Sequence, residues 1–271
     1  IEQIINQAIN FHVQGNISEA EKYYKYCINQ GFNDHRVFSN YGVILQSIGK
    51  FQEAELSYRR AIELKPNFAD AYSNLGIILR ELGRFQEAEL SYRRAIGLKP
   101  SYVEAHSNLG IILKDLNKLQ EAEVSTRKAI ELSPNFAEAH YNLGNILKEL
   151  GKLQEAELSY RRAIKFKPSY SKAYYNLSNI LQDLGKLQDA ELYIRKAIEI
   201  KPDFSEAHYN LGVILKDLDK LQDAELSIRK SIEINPNFTD AYSNLGIILR
   251  ELGKLKESEI SYRKAIEINP N

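Results

Sequence analysis

The stretch from Ala69 to Tyr102, ADAYSNLGIILRELGRFQEAELSYRRAIGLKPSY, decides the fold. Ala71, Leu75, Ile78, Leu79 and Leu82 recur at helical spacing, and Gly83 stands where a left-handed residue ends a helix. A second amphipathic helix follows with Phe85, Ala88, Tyr92, Ala95, Ile96 and Leu98. Pro100 stops it, because proline disfavours helix at the residue before it. A single helix hairpin cannot bury both of its apolar faces, so this stretch needs neighbours.

The neighbours are copies. Pro66, Pro100, Pro134, Pro168, Pro202, Pro236 and Pro270 are all seven prolines of the 271-residue chain, each 34 residues from the next. The units run 1–34, 35–68, 69–102, 103–136, 137–170, 171–204, 205–238 and 239–271, with no insertion. Where two repeats lack the turn glycine they carry Asn117 and Asp219, types that tolerate positive φ. Ala54, Ala88, Ala122, Ala156, Ala190 and Ala224 line the second helices and allow close packing. Asn67 with Asp70, Ser101 with Glu104, Asn135 with Glu138 and Asp203 with Glu206 have the spacing of capping boxes. Glu55–Arg59, Glu89–Arg93 and Glu123–Arg127 are i,i+4 pairs of the favourable orientation, expected on a solvated outer face.

These residues carry a family resemblance. A 34-residue helix–turn–helix with Leu75-Gly76, Ala88, Tyr92, Ala95 and Pro100 resembles a tetratricopeptide repeat, and the likeness extends over the whole chain. It departs from the family at position four, where Phe38, Tyr72, His106, His140, Tyr174, His208 and Tyr242 replace tryptophan, and at position eleven, where leucine replaces an aromatic. The resemblance implies an all-α, right-handed superhelical solenoid of eight repeats forming one domain over 1–271. It also implies a concave surface built from positions two, five, six, nine, twelve and thirteen of the first helices.

Position six is asparagine in every repeat: Asn6, Asn40, Asn74, Asn108, Asn142, Asn176, Asn210 and Asn244. Asparagine costs about 0.5 kcal/mol relative to alanine within a helix, so eight of them call for a compensating role. Its amide offers a donor and an acceptor, the pair that grips a peptide backbone. A similar asparagine ladder lies in the superhelical arm of O-linked N-acetylglucosamine transferase, where it contacts peptide backbone. The alternative is that these residues pack adjacent repeats. Around the ladder, repeats two to four and eight have Ser39, Ser73, Ser107 and Ser243 at position five and Val43, Ile77, Ile111 and Ile247 at nine. Repeats five to seven substitute Tyr141, Tyr175 and Tyr209, with Asn145 and Asn179. Lys172 puts a cation at a helix N-terminus, against the macrodipole, unless it pairs with Glu138 or Glu206; Arg36 makes a similar exchange.

Other chemistries find little support. Lysine plus arginine equals aspartate plus glutamate at 36 each, which argues against nucleic acid and anionic membranes as partners. No run of 18 apolar residues occurs. The lone Cys27 excludes an intrachain disulfide, fits a reducing, cytoplasmic setting, and sits in a column of alanine and serine as a small packing residue. His106 and His140 share a column with Tyr and Phe and are expected to pack, not to hold a metal. No phosphate loop or nucleophile elbow appears, so no cofactor or catalysis is expected. The lysine-at-five, asparagine-at-nine clamp of chaperone-binding relatives is missing, and basic position twelve alternates with acidic thirteen like a salt-linked surface.

Repeat one carries polar Gln7 and Asn10, as an array start would. Repeat eight stays standard to Pro270–Asn271, so its outer face is expected to expose leucine and isoleucine and to be covered by a further segment or a second copy. The sequence therefore points to a non-catalytic scaffold for a protein or extended peptide. Two other classes remain: the substrate-recognition arm of a larger enzyme such as a glycosyltransferase, and, more remotely, an RNA-binding helical repeat.

Overall fold

The computed structural model describes residues 1–269; Pro270 and Asn271, which close the eighth repeat in the sequence, lie outside the described residues. Sixteen helices and no strand are found among the described residues. The first helices of the repeats are α1 Glu2–Val13, α3 His35–Ser47, α5 Ala69–Glu81, α7 Val103–Asp115, α9 Ala137–Glu149, α11 Ser171–Asp183, α13 Ser205–Asp217 and α15 Thr239–Glu251. The second helices are α2 Ile17–Asn29, α4 Phe51–Leu64, α6 Phe85–Leu98, α8 Leu119–Leu132, α10 Leu153–Phe166, α12 Leu187–Ile200, α14 Leu221–Ile234 and α16 Leu255–Ile268.

The chain divides into two compact units, Ile1–Pro134 and Asn135–Asn271. Each holds four hairpins. Inside a unit, the two helices of a repeat pack together and each second helix packs on the first helix of the next repeat. The apolar columns do what their spacing requires. Ala54, Ala88 and Ala122 in the first unit and Ala156, Ala190 and Ala224 in the second are fully buried, as are Ile78 and Ile112, Ile146 and Ile180. Cys27 is buried too, in the core of repeats one and two. Gly76 has a packing reason: a Cβ there would come within 2.8 Å of the Tyr92 ring. Asn117 and Asp219 close their turns at φ 58° and 60°, as the glycines do elsewhere.

Two local expectations need correction. Asn67, Ser101, Asn135 and Asp203 do not cap helices. The N-cap is the following aromatic, Phe68, Tyr102, Phe136 or Phe204, and no side chain bonds the exposed helix donors there. Packing wins over capping at this position: the ring of Tyr170 lies 4.8 Å from Tyr141, Phe204 5.0 Å from Tyr175, and Phe238 4.8 Å from Tyr209. The acids three residues on still fall in the first turn, where the macrodipole favours them. Second, the i,i+4 pairs form, but their carboxylates are not on a solvated face. Glu89 is only 8% exposed; it accepts from Arg93 at 2.9 Å and from Lys118 of the next repeat at 2.8 Å. Glu157 does the same with Arg161 and Lys186, and Glu225 with Arg229 and Lys254. Burial works to raise the Glu89 carboxyl, but the two cations outweigh it and hold the group below its ordinary value. These acids pin consecutive repeats.

Candidate functional site

In a helix, positions four, seven and eleven lie about 160°, 100° and 140° round the axis from position six. Because Leu75, Leu79, Leu109 and Leu113 are buried in the hairpins, Asn74 and Asn108 fall on the other side of α5 and α7. From Asn40 to Asn244 every asparagine of the column is half-buried, so each keeps part of its amide at the surface; Asn6 is exposed. The two units use these amides differently.

In the first unit, Asn40 bonds the Tyr24 hydroxyl of the preceding repeat, while burial pushes that phenol up to about 12. The side-chain amides of Asn74 and Asn108 make no hydrogen bond among the described residues. Half-buried Ile77 and Ile111 lie one turn further along. The serines at position five do not line this surface. Ser39, Ser73 and Ser107 are 5%, 3% and 2% exposed, which corrects their placement on the groove. Ser73 hydrogen-bonds Tyr102, whose phenol burial also pushes up to about 12.

In the second unit Asn176, Asn210 and Asn244 are wired to the preceding repeat. Asn176 Nδ2 donates to Asn145 Oδ1 at 2.9 Å and to the Tyr141 hydroxyl at 3.2 Å. Asn210 Nδ2 donates to Asn179 Oδ1 at 2.8 Å, and Asn244 Nδ2 to the Tyr209 hydroxyl at 2.8 Å. From the hairpin interior the Tyr160 hydroxyl donates to Asn145 Oδ1 at 2.8 Å, so Asn145 links core to surface. Asn142 is half-buried like the rest of the column. Tyr141, Tyr175 and Tyr209 are half-buried, each against the aromatic N-cap of the next helix. Burial raises the Tyr209 phenol above its ordinary value.

Lys172 is exposed and forms no ion pair among the described residues, so the suggested pairs with Glu138 and Glu206 do not form. Glu138 takes Lys167 instead, at 2.7 Å. Arg36, by contrast, is clamped by Asp34 at 2.7 Å and Glu2 at 2.9 Å. His140 is 2% exposed and stacks on Phe166 at 5.4 Å; His106 bonds the Pro100 carbonyl through Nε2 at 3.0 Å. Among the described residues no group of three or more His, Cys, Asp or Glu side chains could hold a metal ion. No helix there is long and apolar enough to cross a membrane.

Models described as tetratricopeptide repeat match residues 42–103, 137–170, 171–204, 205–238 and 239–271, and one described as TPR repeat matches 112–151. The chain belongs to the tetratricopeptide repeat family. These repeats mark it as a protein-interaction scaffold, and no catalytic family is indicated. No curated protein matches it by sequence. Among solved structures it is similar to the APC/C hetero-tetramer Cut9-Hcn1, with a TM-score of 0.74 and 15% identity over 89% of this chain and 48% of that one. It thus spans about half the length of that chain. A tetratricopeptide protein from Parabacteroides merdae aligns at 0.68 with 22% identity, over 92% of this chain and 98% of that one. YrrB, described as a TPR protein with an unusual peptide-binding site, aligns at 0.54 with 25% identity, over 68% of this chain and 95% of that one.

Proposed function

We propose that this tetratricopeptide protein binds extended peptide segments along the first-helix face of each unit, the position-six asparagines facing the peptide backbone. The observation that carries the reading is the state of Asn74 and Asn108. Both are half-buried on a surface with Ile77 and Ile111, and neither amide has a partner among the described residues. Neither amide is committed to a neighbour, so its donor and acceptor are both available to a backbone amide, which presents the matching pair. In the second unit Tyr141, Tyr175 and Tyr209 offer ring surface, and the bonds from Asn176 and Asn244 orient two of those hydroxyls. Lys172 adds an unpaired cation, which favours a segment with an acidic side chain.

The test is a peptide array probed with wild type and with an Asn74→Ala/Asn108→Ala protein. Loss of signal across many unrelated sequences is expected, since backbone contacts are blind to side chains. An unchanged array would remove these residues as a site.

A further inference from the structure

On the opposite side of the first helices, the second helices of successive repeats leave gaps between them. In repeat four the gap between α6 and α8 is a groove of about 870 Å³. His106, Leu109 and Leu113 form its floor; Arg93 and Ile96 stand on one wall and Val124 on the other. A smaller groove of about 430 Å³ occupies the same place in repeat seven, over His208 and Leu211.

The chain fills the equivalent place in repeat six with a side chain of its own. Tyr193 stands where Ser57, Ser91, Ser125, Ser159, Ser227 and Ser261 stand in other repeats. Its ring lies 6.1 Å from that of Tyr174, the position-four residue. The Arg161 guanidinium of the preceding repeat sits 5.1 Å from the ring centre, and Arg161 Nη1 donates to the Tyr193 hydroxyl at 2.6 Å.

Arg93 holds its own glutamate as Arg161 does, and its Nη2 also donates to Glu121 of the next repeat at 2.7 Å, which leaves Nη1 unused. Arg161 gives Nε and Nη2 to Glu157, both at 2.9 Å. Arg93 gives Nε and Nη2 to Glu89, at 3.2 and 2.9 Å. Among the described residues Arg93 Nη1 has no acceptor. Sequence choices open the groove further. Gly97 replaces the acid found as Glu63, Glu131, Glu199, Glu233 and Glu267, although a Cβ there would meet nothing within 4 Å. Packing does not demand this glycine, which costs a helix interior about 1 kcal/mol relative to alanine. Ser125 keeps the Tyr193 position small, and its hydroxyl is turned to the His106 carbonyl at 2.9 Å.

We infer that the groove over His106 receives a tyrosine side chain from a partner polypeptide. The ring rests on Leu109 and His106 beneath the Arg93 guanidinium, and the phenolic oxygen accepts from Nη1, as Tyr193 does within the chain. Arginine–aromatic contacts of this sort are favoured anchors of protein interfaces. The surface is distinct from the asparagine column, so either proposal can fail alone.

The test is methyl-detected NMR of the whole chain, following Ile96, Leu109 and Val124 during titration with N-acetyl-tyrosinamide. Saturable shifts are expected, with N-acetyl-phenylalaninamide weaker by about 3–10-fold for the lost hydrogen bond and N-acetyl-leucinamide weaker still. Ser125→Tyr, which installs in repeat four the residue already carried at 193, should abolish the response. Gly97→Glu, which returns the acid of neighbouring repeats, should weaken it, and Asn74→Ala/Asn108→Ala should leave it unchanged. Non-saturating shifts in wild type, an equal response to leucinamide, undiminished binding by the Ser125→Tyr and Gly97→Glu proteins, or loss of binding in the asparagine variant would overturn the assignment.

Discussion

Asn108 in the first unit and Asn176 in the second hold the same place in their repeats, yet one amide is idle and the other is spent. Asn108 has no partner among the described residues, whereas Asn176 Nδ2 is shared between Asn145 and Tyr141. The cause is what stands at position nine of the preceding repeat. Asn145 and Tyr160 form a polar chain from core to surface in repeat five, which precedes Asn176, where repeat three, which precedes Asn108, has Ile77 and Tyr92. Thr126 Oγ1 is buried and bonds to nothing among the described residues. An invariant column can therefore serve two purposes, and its neighbours decide which. At Asn74 and Asn108 it offers unused donors; at Asn176 and Asn244 it holds tyrosines in place.

The largest expected effect breaks this comparison by removing the idle amides. Asn74→Ala/Asn108→Ala should weaken an array-selected peptide by about 10–100-fold, as two lost hydrogen bonds would, without lowering thermal stability. Fluorescence anisotropy and a melting curve on the same protein would show it; a fall in stability matching the fall in affinity would count against the idle state. Next, Asn145→Ile makes repeat five resemble repeat three, with isoleucine at position nine beside a buried tyrosine. It strands the Tyr160 hydroxyl and should destabilise the fold by about 1–2 kcal/mol in urea titration. A neutral result would mean the polar chain contributes nothing. Thr126→Val removes the orphaned hydroxyl from repeat four and should stabilise by about 1 kcal/mol. Smallest is Lys172→Glu, which restores an acid to the first turn of α11. A gain of about 0.3–1 kcal/mol is expected, with a lost preference for acidic peptides on the array. Retained preference would dissociate Lys172 from recognition.

Much of this was legible in the sequence. Seven prolines at one spacing, with Gly83, Ala88 and Tyr92 repeated in phase, give helices, turns and core, because helical period and turn chemistry are local properties. The asparagine column was equally plain. The partners of those amides were not: the bond from Asn176 crosses to a residue 31 positions earlier, and whether it finds Asn145 or an isoleucine depends on a neighbouring repeat's side chain. Capping misled for a similar reason. Asn67 and Asp70 have capping spacing, but ring packing of the aromatic at position 34, seen for Tyr170 on Tyr141, starts the helix one residue later. For Lys172 the sequence left open a pair with Glu138 or Glu206, and Glu138 is held by Lys167 instead. The Arg93 groove left one signal in the sequence, the glycine at 97 in a column that is otherwise acidic but for Asn29 and Lys165, whose meaning needed Tyr193 to be seen in place.

The claim that rests on least else is that unpaired side-chain amides in the first unit take hold of a guest backbone. Their Nδ2 protons are separately visible in a nitrogen–proton correlation spectrum of the whole protein during titration with an array-selected peptide. Large saturable shifts for Asn74 and Asn108, against small ones for Asn210 and Asn244, are the expected result. A peptide that binds tightly while the Asn74 and Asn108 amides stay where they were would contradict the account.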